Sequence, residues 1–305
     1  MELVVTAIVP IVLLLALGWT LRHRLLTDAG FWQGLEWTSY YVFMPALFIS
    51  SITGADLSAV SPGPLLASLV APVLAVATIV VVLRRPLHAD GPALTSLVQG
   101  SIRFNTYLGL VLAAALHGRE GIATFALAAA LMVPLVNVLS VSLLAVHGDR
   151  GAHRPRLWRE LAGNPLILSC VTALVLTALD IPLPGPLGTT VDLLAGPALV
   201  CGTLVAGAAI TLRVDRRDVL HIVVTSLLKL VLLPLGAGAL ASTLGISGVM
   251  LASIVIITAI PTPPTAYVLA SRMGGDTRLM ASLTGAQTVV AMLSLPVIVP
   301  LATSL

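Results

Sequence analysis

The sequence predicts an all-α membrane protein of ten transmembrane helices, arranged as two inverted five-helix repeats with broken, crossing helices four and nine. Three observations carry this expectation. Of the 305 residues 58% are apolar and 10% charged, and the mean hydropathy is strongly positive, at +1.06. No ordinary soluble fold tolerates that balance. The basic residues alternate from loop to loop, and proline motifs recur at about half the chain length.

A helix of roughly 20 residues, rising ~1.5 Å per residue, spans a hydrocarbon core of ~30 Å. Ten apolar stretches meet that length, near 3–21, 34–53, 64–83, 93–116, 121–146, 160–179, 189–211, 219–241, 248–270 and 279–303. The first, "MELVVTAIVPIVLLLALGWTLRHR", looks like a signal peptide but has Glu2 where a basic region belongs and its basic residues after the apolar run. It is expected to stay as span one. Turn formers separate the others, with "SPGP" at 61–64 before span three and "IPLPGPLG" at 181–188 before span seven. The two halves are expected at 1–146 and 160–305, joined by a cytoplasmic loop at 147–159.

Charge fixes the orientation. Arg22, Arg24, Arg84, Arg85, Arg150, Arg154, Arg156, Arg159, Arg213, Arg216, Arg217, Arg272 and Arg278 lie in odd-numbered loops, thirteen in all. Even-numbered loops and both termini hold only Arg119, and the remaining two of the sixteen, Arg103 and Lys229, fall within spans. The positive-inside rule then makes odd loops cytoplasmic and both termini extracytoplasmic, as expected of an integral protein of a bacterial cytoplasmic (inner) membrane. The run "HRPRLWRE" faces lipid headgroups on this reading. Scattered basic residues give no footprint for nucleic acid.

The repeat is read from matched prolines. Pro10 pairs with Pro165, Pro45 of "MPALFIS" with Pro197 of "GPALVCG", Pro72 with Pro234 and Pro134 with Pro296, at offsets from 152 to 162. Each half has an odd number of spans, so the second enters the membrane from the opposite side, as in many secondary transporters. Span four carries "GSIRFNTYLGL" at 100–110 and its partner, span nine, carries "TAIPTPPTAYV" at 258–268. Proline removes a backbone donor and clashes with the preceding turn. Irregular backbone at membrane depth must be buried in protein or line a cavity. Two breaks at equivalent positions point to a midplane binding site, where freed amides favour an anion and freed carbonyls a cation.

These segments, with "NPLIL" at 164–168, "LKLVLLPL" at 228–235 and "PTPPTAYVLASRMGGDTRLMAS", resemble the auxin efflux carrier family of bacteria, including its malonate-type carriers, which is related to plant auxin exporters. The resemblance runs over essentially all ten spans. It implies helices that cross near mid-membrane, a transport bundle moving against a scaffold, organic anions as substrates and a possible homodimer. The chain departs from the family in having Pro-Thr-Pro-Pro-Thr where Pro-Asn or Pro-Gly is common, and it lacks the long central loop of the plant members.

Single residues carry the site expectation. Arg103 sits too deep to snorkel, so it faces either a substrate carboxylate, held bidentately, or a fixed structural partner. Asn105 offers a donor and an acceptor to a ligand or to freed backbone, with Thr106 and Tyr107 following it. Thr262, Pro263, Thr265 and Tyr267 flank the second break. Lys229, the only lysine, is a coupling group or a structural partner of Asp192 or Glu36. Asp192 and Glu36 open matching spans, Asp192 as a helix cap. Asn137 and Gln287 line the cavity or bond between helices. Cys170 and Cys201 read as packing residues.

Neither an enzyme nor a metal site is expected. GxSxG, HExxH and paired-aspartate motifs are absent, and the six histidines lie in loops or near span ends. No cofactor is implied beyond a coupling ion, a proton or sodium. The expected activity is alternating-access transport of a small carboxylate, malonate- or auxin-like; the rival is an ion channel with the broken helices as its filter.

Overall fold

A computed structural model describes residues 2–53, 61–149, 163–211 and 214–304, and every regular element among them is helical. Most of the 147–159 loop, with Arg150, Arg154, Arg156 and Arg159, and also Arg213, lie outside the described residues. Among the described residues, six helical stretches are long and apolar enough to cross a membrane: Thr6–Leu25, Pro62–Val82, Gly91–His147, Gly185–Ala208, Arg216–Thr243 and Thr277–Thr303. The chain is an integral membrane protein.

The other expected spans are shorter or fused. Gly91–His147, at 57 residues, covers expected spans four and five and is interrupted at Gly118, where φ is 57° and ψ −138°. Expected span six appears as the apolar helix Pro165–Ala178, and the first part of span nine as Gly248–Ala259. Span two is a continuous helical run over 29–53.

In chain order the helices are α1 (Glu2–Thr20), α2 (Ala29–Thr38), α3 (Met44–Thr53), α4 (Pro62–Val82), α5 (Gly91–Ile102) and α6 (Thr106–His147). After the central connection come α7 (Pro165–Ala178), α8 (Gly185–Ala195), α9 (Ala198–Ala208), α10 (Val219–Leu227) and α11 (Leu233–Thr243). The last three are α12 (Gly248–Ala259), α13 (Thr265–Met273) and α14 (Thr277–Thr303). Polar residues start them as the sequence allows. Asp28 accepts from the Phe31 amide at 2.8 Å, Asp90 from Ala93 at 2.8 Å and Asp276 from Leu279 at 2.9 Å. Asn164 of "NPLIL" caps α7, accepting from the Leu166 and Ile167 amides, with Pro165 at the first helical position where no donor is missed.

Two boundaries differ from expectation. Span two begins at Ala29, because Asp28 caps it before the apolar run starts. Span seven begins at Gly185 behind Pro184 and is interrupted at Gly196–Pro197, whereas an unbroken helix over 189–211 was expected. Two π-helical turns also interrupt the α pattern, Ser39–Phe43 between α2 and α3 and Leu228–Leu232 between α10 and α11. Such one-turn insertions re-aim the side chains they carry.

Packing pairs α1 with α9 and α3 with both α7 and α8. A second set joins α4 to α5 and α11, α11 to α12, and α12 to α6 and α14. Lipid supplies no hydrophobic drive between helices, so close backbone approach through small residues does much of the joining. A Cβ on Gly207 would lie 2.2 Å from the Leu15 carbonyl oxygen, and one on Gly18 would lie 2.2 Å from that of Leu204. Gly207→Val is therefore expected to lower stability by roughly 1–3 kcal/mol, the usual cost of overpacking. The check is the melting temperature in detergent, against Gly236→Ala, whose added Cβ meets nothing within 4 Å.

Candidate functional site

Helix α5 ends after twelve residues, about 18 Å along its axis at ~1.5 Å per residue, which is mid-membrane depth for a helix starting at the interface. Arg103 then turns extended, with φ −75° and ψ 158°, and α6 starts at Thr106. Helix α12 is also twelve residues long, and Ile260 after it has φ −72° and ψ 148°, before α13 starts at Thr265. Pro261, Pro263 and Pro264 account for the second break by their missing donors. The first contains no proline; its backbone is held by bonds from other helices.

The two breaks touch. The Asn105 amide donates to the Pro261 carbonyl at 2.9 Å. Gln287, from α14, bridges them: its Nε2 donates to the Gly100 carbonyl at 2.8 Å, and its Oε1 accepts from the Thr262 amide at 3.2 Å. Gly100 C=O can only accept and Thr262 N–H can only donate, so the orientation of the Gln287 amide is fixed chemically. The Thr262 hydroxyl lies 2.9 Å from the Gly100 oxygen and 2.7 Å from Gln287 Oε1, and can give its proton to either. Within this lattice Gln287 and Thr262 are fully buried. The Gly100 carbonyl, the Thr262 amide and the Asn105 amide are thereby each given a partner at the crossing.

Beside the crossing lies a cavity of about 390 Å³. Arg103, Phe104, Asn105, Thr106 and Tyr107 enter it from the first break, and Pro263, Pro264 and Thr265 from the second. The opposite wall comes from α2 and its π turn, with Gln33, Glu36, Trp37, Tyr40 and Tyr41. Asn137 of α6 and Asn164 at the start of α7 complete the polar lining. Arg103 is 9% exposed, and its Nη2 donates to Thr265 Oγ1 across the two breaks at a long 3.5 Å. The Asn105 side chain caps α6, accepting from the Tyr107 amide at 3.2 Å. The Tyr107 ring packs where a Cβ on Gly202 of α9 would stand, 2.1 Å from its Cδ1, so a glycine there is what lets the ring seat.

Of the residues the sequence singles out, Arg103, Asn105, Thr106, Tyr107, Pro263, Thr265, Glu36 and Asn137 come together around the cavity. Others go elsewhere. Thr262 is buried in the bridge and does not line the cavity, because its hydroxyl and amide are turned to Gln287. Gln287 likewise bonds between helices. Tyr267 is 44% exposed and also does not line it: two residues past Thr265 it lies ~200° around the helix, on the far face. Lys229 pairs with neither Asp192 nor Glu36. Its Nζ, fully buried on the second π turn, donates at 3.0 Å to the carbonyl of Thr258, four residues before Thr262. The Thr262 amide, turned to Gln287, leaves that carbonyl to the lysine.

Asp192 is not a cap either, since α8 starts seven residues before it. Its carboxylate accepts from Ser50 Oγ and lies 3.7 Å from Arg119 Nη2, tying the spans two and seven to the turn between four and five. Trp37, Tyr40, Tyr41 and Gln33 went unread in the sequence. Their signal was present, aromatic side chains spaced three or four apart at 37, 40 and 41, but span two reads as ordinary apolar helix. Among the described residues no group of three or more His, Cys, Asp or Glu could hold a metal ion.

Residues 150–299 match the family described as membrane transport protein, just under half of the chain. No curated protein matches the chain. The matched half contains α7 to α13 and most of α14, and so includes the second break, Lys229 and Gln287. The match and the apolar helices together support a protein of membrane transport.

Proposed function

We propose that this chain is a secondary carrier of a small organic anion, of the auxin efflux carrier kind, working by alternating access. The single observation that carries the reading is a buried arginine set beside two broken helices that cross at a cavity. A substrate carboxylate would rest between Arg103, Asn105 and Thr265, where one full positive charge and the start of two half-helices converge. Malonate-type and auxin-type acids both fit the charge.

Two inverted five-helix repeats are part of the proposal. It is supported by α5 and α12, each twelve residues long, each begun by glycine and each ended by an extended residue, Arg103 and Ile260, that are 157 apart. The pairing of α1 with α9 and of α3 with α7 has the form a twofold exchange of spans one and two with six and seven would produce. Both termini are assigned outside a bacterial inner membrane on the loop charges. The cavity then meets the cytoplasmic side at exposed Trp37, while Ser50, Arg119 and Asp192 close the outer end.

Proteoliposomes test this, loaded against a set of labelled mono- and dicarboxylates with and without sodium and a pH gradient. Saturable flux of at least one acid is expected. Asn105→Ala is expected to cut that flux at least tenfold while costing only about 1 kcal/mol of stability, as for a lost helix cap. Unchanged flux in this variant removes Asn105 from the site. Unitary currents in a planar bilayer, in place of saturable flux, overturn the carrier reading in favour of a channel.

A further inference from the structure

The cavity contains a group that an anion site does not need. Glu36 lines it from α2, beneath the π turn that carries Tyr40 and Tyr41. Among the described residues its carboxylate belongs to no ion pair and no side-chain hydrogen bond. Lining the same cavity are Arg103 and Tyr107 from the first break and Tyr40 and Tyr41 from its own span. Helix α9, which packs on α2, presents Val205 and Ala206, and Asn137 and Asn164 add polar but uncharged groups. One cation and one carboxylate therefore share a space of about 390 Å³ walled largely by aromatic and aliphatic side chains. An ionised Glu36 would repel an arriving carboxylate across a medium that screens far less than water.

We infer that Glu36 is the proton-coupling residue of the proposed carrier, taking up one proton from the cytoplasmic solution for each carboxylate that binds. The inference rests on the anion-carrier reading above. For a monocarboxylate such as indole-3-acetate the charges balance: the substrate brings one negative charge to Arg103, the proton neutralises one on Glu36, and the loaded cavity has the same net charge as the empty one. Malonate, doubly ionised near neutral pH, adds one further negative charge. A neutral Glu36 can also donate a hydrogen bond to the bound acid, which the ionised form cannot. With a monocarboxylate, loaded and empty sites thus cross the membrane without a difference in charge, so the membrane potential, worth ~2.3 kcal/mol per charge per 100 mV, does not bias the loaded step.

The sign follows from linkage. Where Glu36 is ionised in the empty protein, binding that requires its protonation weakens as pH rises, by roughly tenfold per pH unit, and levels off at low pH where the residue is already neutral. Purified protein in sodium-free buffer, with labelled malonate and labelled indole-3-acetate as probes, gives both readouts: affinity between pH 5 and 8, and proton uptake per anion bound in a weakly buffered indicator solution. The wild type is expected to take up about one proton per indole-3-acetate bound and to lose affinity for it with rising pH. Glu36→Gln is expected to bind at every pH as the wild type does at low pH, with no proton uptake. Binding by the wild type without proton uptake, or an unchanged pH profile in Glu36→Gln, overturns the inference and leaves the carrier reading intact. Affinity that rises with added sodium and not with protons overturns it too, and makes Glu36 a cation ligand. Failure of both anions, and of every acid in the proteoliposome set, to bind at any pH in either protein overturns the anion reading and this inference with it.

Discussion

Gln287→Leu is expected to lower stability by about 2–4 kcal/mol, because it takes partners from buried polar groups of two helices at once. The wild-type amide satisfies the Gly100 carbonyl and the Thr262 amide, 2.8 and 3.2 Å away. Leucine has similar volume but neither donor nor acceptor, so the Thr262 amide loses its partner and the Gly100 carbonyl loses one of two. Each unsatisfied group costs roughly 1–3 kcal/mol. The Thr262 hydroxyl can still donate to Gly100, which recovers part of the loss and keeps the estimate below the full sum. Thermal unfolding in detergent, followed by size-exclusion recovery, is the measurement. Gln287→Glu serves as the companion: its oxygen still accepts from Thr262, but it loses the donor to Gly100 and brings a charge to a fully buried position. A melting temperature for Gln287→Leu within a degree or two of wild type would mean the bridge does not hold the breaks together.

Arg103→Gln is expected to weaken anion binding by a hundredfold or more, since it removes the cation that lines the cavity from the crossing. A hydrogen-bonded, partly desolvated charge pair that loses one member typically forfeits ~2–5 kcal/mol. Glutamine keeps a donor that can still reach toward Thr265, so the fold is expected to lose much less than the site. The two effects separate cleanly in paired measurements of melting temperature and of binding of the carboxylate found in the proteoliposome screen. Loss of stability with unchanged affinity would assign Arg103 to the structure of the break alone. Arg103→Lys sharpens the comparison: a point charge restores attraction but not the two-pronged geometry, so partial recovery is expected.

Much of this protein was legible from its sequence, and the limits have identifiable causes. Apolar length announces a helical membrane protein because bilayer crossing is a local requirement, and six stretches among the described residues meet it on their own. The prolines at 261, 263 and 264 announce the second break because a missing amide hydrogen is a property of the residue itself. Asn105 could be read as a group that meets freed backbone, and it caps α6. The first break was read from its polar residues without a local breaker; what holds it is the bond from the Asn105 amide to the Pro261 carbonyl and that from Gln287 to the Gly100 carbonyl.

What the residues alone could not say concerns direction and partnership. Tyr267 was grouped with Thr265 by proximity along the chain, although two helical steps put them on opposite faces. Lys229 was matched with Asp192 or Glu36 on charge, while the cation in fact holds the Thr258 carbonyl that the break of span nine sets free. Trp37 of α2 and Tyr40 and Tyr41 of the π turn became cavity wall only through the packing of span two against the crossing. By itself, the sequence determined that the chain is helical and lives in a membrane. Tertiary structure decided which groups meet at the two breaks. Satisfaction of a freed amide or carbonyl depends on a donor or acceptor 187 residues away, and no local pattern in either segment encodes that distance.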